Sequence, residues 1–178
     1  MKKVITLIIS FSLISLASSA FAWKDLREQL TNNEYAILKG NHYFVCEHVT
    51  KANAEIFRIV FELSSKAVYM NFSASSIGGM QFDIFEGASG ISAGSNLIPR
   101  NSNRLLSDNL TDVSVSLEPT ISSNGTNIYS QQVGADREAG QTQGLNKIIL
   151  KPSTNYIFKM TSDANDNEIN YCAEWYER

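Results

Sequence analysis

After an apolar N-terminal run, side chains along the chain alternate apolar and polar with a period of two more often than at helical spacing. Met80, Phe82 and Ile84 alternate with Gln81 and Asp83, and Val113, Val115 and Leu117 with Ser114 and Ser116. Each set predicts a strand with one buried and one wet face. Ile56-Phe57-Arg58-Ile59-Val60-Phe61-Glu62-Leu63 is too densely apolar to alternate and predicts a central strand covered on both sides. Further strand-like runs cover residues 35–38, 42–48, 54–63, 67–73, 147–150, 155–161 and 168–176. Asn124-Gly125 signals a tight turn, with Ile128 and Tyr129 as a short strand behind it. Only Trp23, Leu26 and Leu30 sit at helical spacing, which predicts one short N-terminal helix. The pattern predicts an all-β fold, an antiparallel β-sandwich of jelly-roll or Ig-like type with about 8–9 short strands.

The N-terminal run has the grammar of an export signal. Lys2 and Lys3 precede an apolar stretch over residues 4–16, and Ala20-Phe21-Ala22 offers a small-residue site for cleavage between Ala22 and Trp23. The stretch falls short of the roughly 20 residues that span a bilayer. The expected organisation is a signal peptide at 1–22, a helix and linker at 23–33 and a single β-sandwich domain at 34–178. Cleavage leaves 156 of 178 residues, the size of one domain. The expected location is periplasmic or secreted, where disulfides persist. Cys46 and Cys172 lie in strand-like runs near the two ends of the domain and are expected to form a disulfide; the alternative is two buried free thiols. Closing so long a loop contributes up to ~5 kcal/mol on the chain-entropy model. His48, two residues from Cys46, shares its strand face, but an oxidised Cys46 has no thiolate for a Cys–His pair.

Without Lys2 and Lys3 the chain carries 13 basic against 18 acidic side chains, a formal charge of −5. That balance disfavours nucleic acid and anionic lipid as partners. Two long polar stretches, residues 87–112 and 134–144, interrupt the strands and are the first places to expect binding, the alternative being plain solvated loops. Catalytic motifs are thin: the chain has no Gly-x-Ser-x-Gly elbow, phosphate-binding Gly-x-x-x-x-Gly-Lys loop or His-Glu-x-x-His pair. Asp163, Asn165, Asn167 and Glu174 copy calcium-loop spacing, but Glu168 stands where the sharp turn needs glycine, so a hairpin loop is expected. Asp83 and Glu86 point to opposite faces of one strand, which leaves a glycosidase-like pair to carboxylates far apart in sequence. Tyr171 and Trp175 share the face opposite Cys172 and are expected to fill the core, with a sugar-stacking platform as the alternative. No cofactor or metal is expected.

From Lys39 onward the motifs have a family likeness. Lys39-Gly-Asn-His-Tyr-Phe-Val, Gly78-Gly-Met-Gln-Phe-Asp-Ile-Phe-Glu-Gly-Ala, Ala93-Gly-Ser-Asn-Leu-Ile-Pro and Asn101-Ser-Asn-Arg104 are followed by Glu118-Pro-Thr and Asn124-Gly-Thr. With Ile148-Ile-Leu-Lys-Pro-Ser-Thr-Asn-Tyr-Ile-Phe and Glu174-Trp-Tyr-Glu, the set resembles small virion-associated proteins of tailed bacteriophages. The resemblance implies a β-sandwich that decorates or stabilises a particle surface, and it brings no catalytic residues. The leader and the cysteine pair lie outside that family pattern and point away from capsid assembly. The expected function is therefore exported, non-enzymatic surface binding, adhesion or structural attachment. The expected partners are a surface glycan or protein and further copies in a homo-oligomer, without nucleic acid or stable membrane insertion. The alternatives are a phage virion structural or decoration protein and a secreted carboxylate-dependent hydrolase.

Overall fold

A computed structural model describes residues 32–92, 94–106, 109–134, 140–141 and 147–177. The Ala22–Trp23 cleavage site and the helix expected over residues 23–30 lie outside these described residues. A helix, α1 (Asn32–Lys39), leads into β1 (His42–Lys51), β2 (Ile56–Leu63), β3 (Val68–Ser76) and β4 (Met80–Glu86). The two-residue strands β5 (Ser95–Asn96) and β6 (Arg100–Asn101) and a 3-10 turn (Arg104–Leu106) follow. The chain continues through β7 (Val113–Leu117), β8 (Thr126–Val133), the two-residue β9 (Gly140–Gln141), β10 (Lys147–Leu150), β11 (Asn155–Ser162) and β12 (Asn167–Glu177).

The strands form two six-stranded antiparallel sheets, in the orders β10-β3-β12-β1-β6, with β9 also on β3, and β5-β7-β2-β11-β4-β8. Beginning and end of the chain pair in nested fashion: β1 with β12, β2 with β11, β3 with β10 and β4 with β8. That eight-stranded ribbon is rolled so that β12 also pairs β3 and β11 also pairs β4. The arrangement is a jelly roll, with its two Greek keys folded face to face. The inward residues of both sheets make one core, in which Phe158 meets Phe61 at 5.1 Å, Phe72 at 5.5 Å and Tyr171 at 5.7 Å between ring centroids. Tyr171 and Trp175 are fully buried there, on the face opposite Cys172.

Two expectations need correction. Residues 35–38 are not a strand but the middle of α1. The helix ends at Gly40, whose φ of 71° lets its N–H reach the carbonyl of Ile37 at 3.0 Å and that of Asn41 reach Ala36 at 2.9 Å. That paired closure is a Schellman cap, and it needs a left-handed residue at that position. The strand behind Asn124-Gly125 runs from Thr126 to Val133, and its partner is β4 rather than the preceding β7. The turn therefore carries the chain across the sheet instead of closing a hairpin.

The long stretch after β4 is not a plain solvated loop. Ser89 bridges Ser123 and Ser92 bridges Thr120, so its first part folds back over the outside of the second sheet. Ala88, Ile91 and Ile121 there cover Val60 of β2 and Ile157 of β11. This cover is why the densely apolar β2 is buried on both faces.

Candidate functional site

Among the described residues, the outer face of the first sheet combines aromatic surface with hydrogen-bonding groups in a groove. Alternation along β1, β3 and β12 sends Phe44, Cys46, Tyr69, Asn71, Ser73, Cys172, Glu174 and Tyr176 outward while their neighbours fill the core. Strand register then sets them in rows. Tyr69 lies across from Tyr176 and Asn71 across from Glu174, while Ser73, Cys172 and Cys46 share the next row. Phe44 extends the Asn71–Glu174 row on the β1 side, and Lys147 of β10 extends it on the other.

The side chains engage one another along these rows. The rings of Tyr69 and Tyr176 stack at 4.9 Å between centroids and 7° between planes. The amide of Asn71 donates to a carboxylate oxygen of Glu174 at 3.0 Å. The sulfurs of Cys46 and Cys172 lie 2.12 Å apart, at bonding distance, and form part of the groove floor. Around them is a depression of about 340 Å³, flanked by Phe44, Asn71 and Glu174. A second depression of about 620 Å³ runs over Tyr69, Tyr176, Lys147 and Ile149 toward Asn32 and Asn33 at the start of α1. Asn71 lines both, so the two depressions adjoin at its side chain.

Beside this face His42 is buried, its Nδ1 2.7 Å from the Ser102 hydroxyl. Burial pulls its pKa below the usual histidine value, against the opposing field of Glu174. His48 shares the outward face with Cys46, as its spacing predicts, and lies 3.9 Å from Glu168. Since the Cys46 sulfur is held against Cys172, no Cys–His pair is assembled.

The candidate carboxylates are each tied elsewhere. Asp83 is buried on the outer side of the second sheet, 3.3 Å from Lys159 and accepting a bond from Ser130 at 2.6 Å. Burial works to raise its pKa, but the bonds from Ser130 and Gln81 and the Lys159 charge outweigh it and hold the group low. Glu86 accepts from Lys151 at 2.6 Å and from the Tyr156 hydroxyl at 2.8 Å. The Lys151 and Tyr156 bonds lower its pKa, while burial pushes the Tyr156 phenol up to about 12. Residues 163–166 form the β11–β12 hairpin loop. Asn167 is buried, donating to Gly79 at 2.7 Å, while Glu174 stands far up β12 on the outer face. The calcium-loop spacing is thus not assembled, and no group of three or more potential ligands is present among the described residues.

Of the groove residues, the sequence singles out only Glu174, and that for calcium-loop spacing; Tyr69, Asn71 and Phe44 lie outside the long polar stretches and the Tyr171–Trp175 platform to which it points for binding. Their signal was aromatic and amide side chains at outward positions of otherwise alternating strands. Of the second polar stretch, most lies outside the described residues. No helix among the described residues is long and apolar enough to cross a membrane. No protein-family model, curated protein or solved structure matches the chain, so the likeness to tailed-phage virion proteins stands on its sequence motifs alone.

Proposed function

We propose that the chain is an exported, non-enzymatic β-sandwich that attaches to a surface, gripping a carbohydrate chain in the groove on the outer face of its first sheet. The observation that carries this reading is the pair of depressions that adjoin at Asn71, with the Tyr69–Tyr176 stack in one and Phe44 in the other. A sugar ring presents apolar C–H faces and a rim of hydroxyls. Aromatic surface suits the first, while the Asn71 amide, the Glu174 carboxylate and the Lys147 ammonium supply donors and acceptors for the second. The groove is built on strands, which hold it more rigidly than a loop would, and the linked cysteines fix two of those strands at its floor. Jelly rolls include lectin domains, a fold-level analogy that lends support without deciding function.

The test is a glycan array together with cell adherence of the mature protein. Binding is expected, and Tyr176→Ala should weaken it about tenfold, equivalent to about 1.4 kcal/mol, with little change in thermal unfolding. Absence of binding to every glycan and cell surface, or undiminished binding by Tyr176→Ala, would remove this face as the site. A second reading, a virion structural or decoration protein, is favoured by the phage-like motifs and by the occurrence of jelly rolls in viral capsids. It predicts a gene lying beside capsid and portal genes.

A further inference from the structure

We propose that the outer face of the second sheet carries a separate binding site, a depression that takes a single neutral sugar ring. Its volume, about 230 Å³, falls below the roughly 300–1,000 Å³ of drug-sized pockets, which suits a ligand of one ring. Outward positions of β2 and β7 form its base, where Glu62 lies across from Ser114, and Ser116 lies across from Asn96 of β5. Its wall is the first part of residues 87–112, a stretch whose length and polarity point to binding. Ser92 bridges Thr120 and β5 pairs with β7, which pins that wall at both ends. Between these ties Gly94 passes so near β7 that a β-carbon on it would lie 2.9 Å from the carbonyl oxygen of Leu117. The site is therefore held by backbone pairing and not by a free loop.

Its polar groups are left unengaged by the protein. Elsewhere the chain satisfies its own: Asp83, Glu86 and Glu177 each meet a lysine, and the Asn101 and Asn167 amides donate to backbone carbonyls. Here, among the described residues, the side chains of Glu62, Asn96, Ser114 and Ser116 have no hydrogen-bond or ion-pair partner. The Ser116 hydroxyl, at the base, is closed off from water as well, a condition folded proteins seldom tolerate. The chemistry of these groups selects the ligand. Serine hydroxyls and an asparagine amide both donate and accept, as the hydroxyl rim of a sugar does, and the Glu62 carboxylate can accept from two neighbouring hydroxyls at once. Ile91 and Pro119 add apolar surface for the C–H face of the ring. No lysine or arginine lines the depression, so an acidic sugar would meet Glu62 with nothing to offset the repulsion. An alkylammonium would satisfy Glu62 but, having no acceptor, would leave the Asn96 amide donors unmatched. This site and the groove open on opposite sides of the sandwich, so one copy would join two sugar chains. The inference stands on the groups of this face and does not rest on what the groove binds.

The test is a titration of the isotope-labelled mature chain with free galactose, glucose, mannose and N-acetylglucosamine, beside glucuronate and methylamine, read residue by residue from backbone amide resonances. Saturable shifts at Glu62, Asn96, Ser114 and Ser116 with at least one neutral sugar are expected. Glu62→Gln should weaken that binding about tenfold with thermal unfolding unchanged, since the carboxylate has no partner within the protein to lose. Ser114→Ala, equally without a partner, gives a second variant should the first fail to fold. Tyr176→Ala, on the opposite face, should leave these shifts as they are, which separates this site from the groove. Shifts confined to Asn71, Glu174 and Tyr176 would speak for the groove and overturn this site. The absence of saturable shifts around Glu62 would overturn it too, as would tighter binding of glucuronate or methylamine than of every neutral sugar, or binding undiminished in the folded variants of Glu62 and Ser114.

Discussion

Tyr171 carries the sharpest prediction at the level of single residues. Its ring is fully buried against Phe158, and among the described residues its hydroxyl has no hydrogen-bond partner. Burial alone drives the phenol's pKa well above its ordinary value. An unpaired buried hydroxyl costs about 1–3 kcal/mol, because folding strips its water and returns nothing. Tyr171→Phe keeps the ring and removes that cost, so the variant should unfold at higher urea concentration, by about 1 kcal/mol; a loss of stability would mean that the hydroxyl has a partner in solution. The inward direction of Tyr171 and Trp175 was legible in the sequence, since residues two apart on a strand share a face and Cys172 lies between them. The Tyr69–Tyr176 stack was not. Each tyrosine reads alone as a wet aromatic, and only the register between β3 and β12 sets the two rings together. Register between strands so far apart in sequence follows from the whole roll, not from either local pattern.

Among the elements, legibility follows how much core each strand must fill. β2, β4, β7, β11 and β12 announce themselves because one face or both must be apolar. The two-residue β5, β6 and β9 have no such face and exist only through the backbone of a neighbour. β8 hides for a related reason: as an edge it tolerates Thr126, Asn127, Ser130, Gln131 and Gln132, so only Ile128 and Tyr129 look strand-like. In α1 the short apolar stretch fits either period, and the Gly40 cap decides the outcome. The turn entering β8 is held in its own way. Gly125 has a φ of 82°, and a β-carbon there would lie 2.2 Å from the carbonyl oxygen of Glu86. Gly87 has nearly the same φ, 81°, but open space around it. Gly125→Ala should therefore cost clearly more than the ~1–2 kcal/mol of left-handed strain alone, and Gly87→Ala about that strain and no more. Equal losses in urea unfolding would show that the close approach of β4 does not constrain the turn.

At the scale of the whole molecule the cysteine pair closes the roll. A jelly roll is a nested ribbon, and its outermost pair is the first long strand against the last, here β1 against β12 over ten residues with Cys46 directly across from Cys172. The two are 126 residues apart in sequence, so a bond between them encloses β2 to β11. Most contacts in such a fold are non-local, and the unfolded chain must give up a large loop entropy to make them. Linking the ends removes part of that cost before folding begins, and on the chain-entropy account the effect grows with loop length. Replacing both cysteines by serine, at outward positions where core packing is not disturbed, should thus lower stability by about 2–5 kcal/mol. Urea unfolding of the double variant beside the oxidised protein measures this, with resistance of the unaltered chain to thiol alkylation confirming the bond. Unchanged stability would mean that the ladder holds β1 and β12 without help. The same comparison separates fold from function. The linked pair also floors the groove, so a double variant that stays folded but loses glycan binding would show the bond shaping the outer face as well as closing the ribbon.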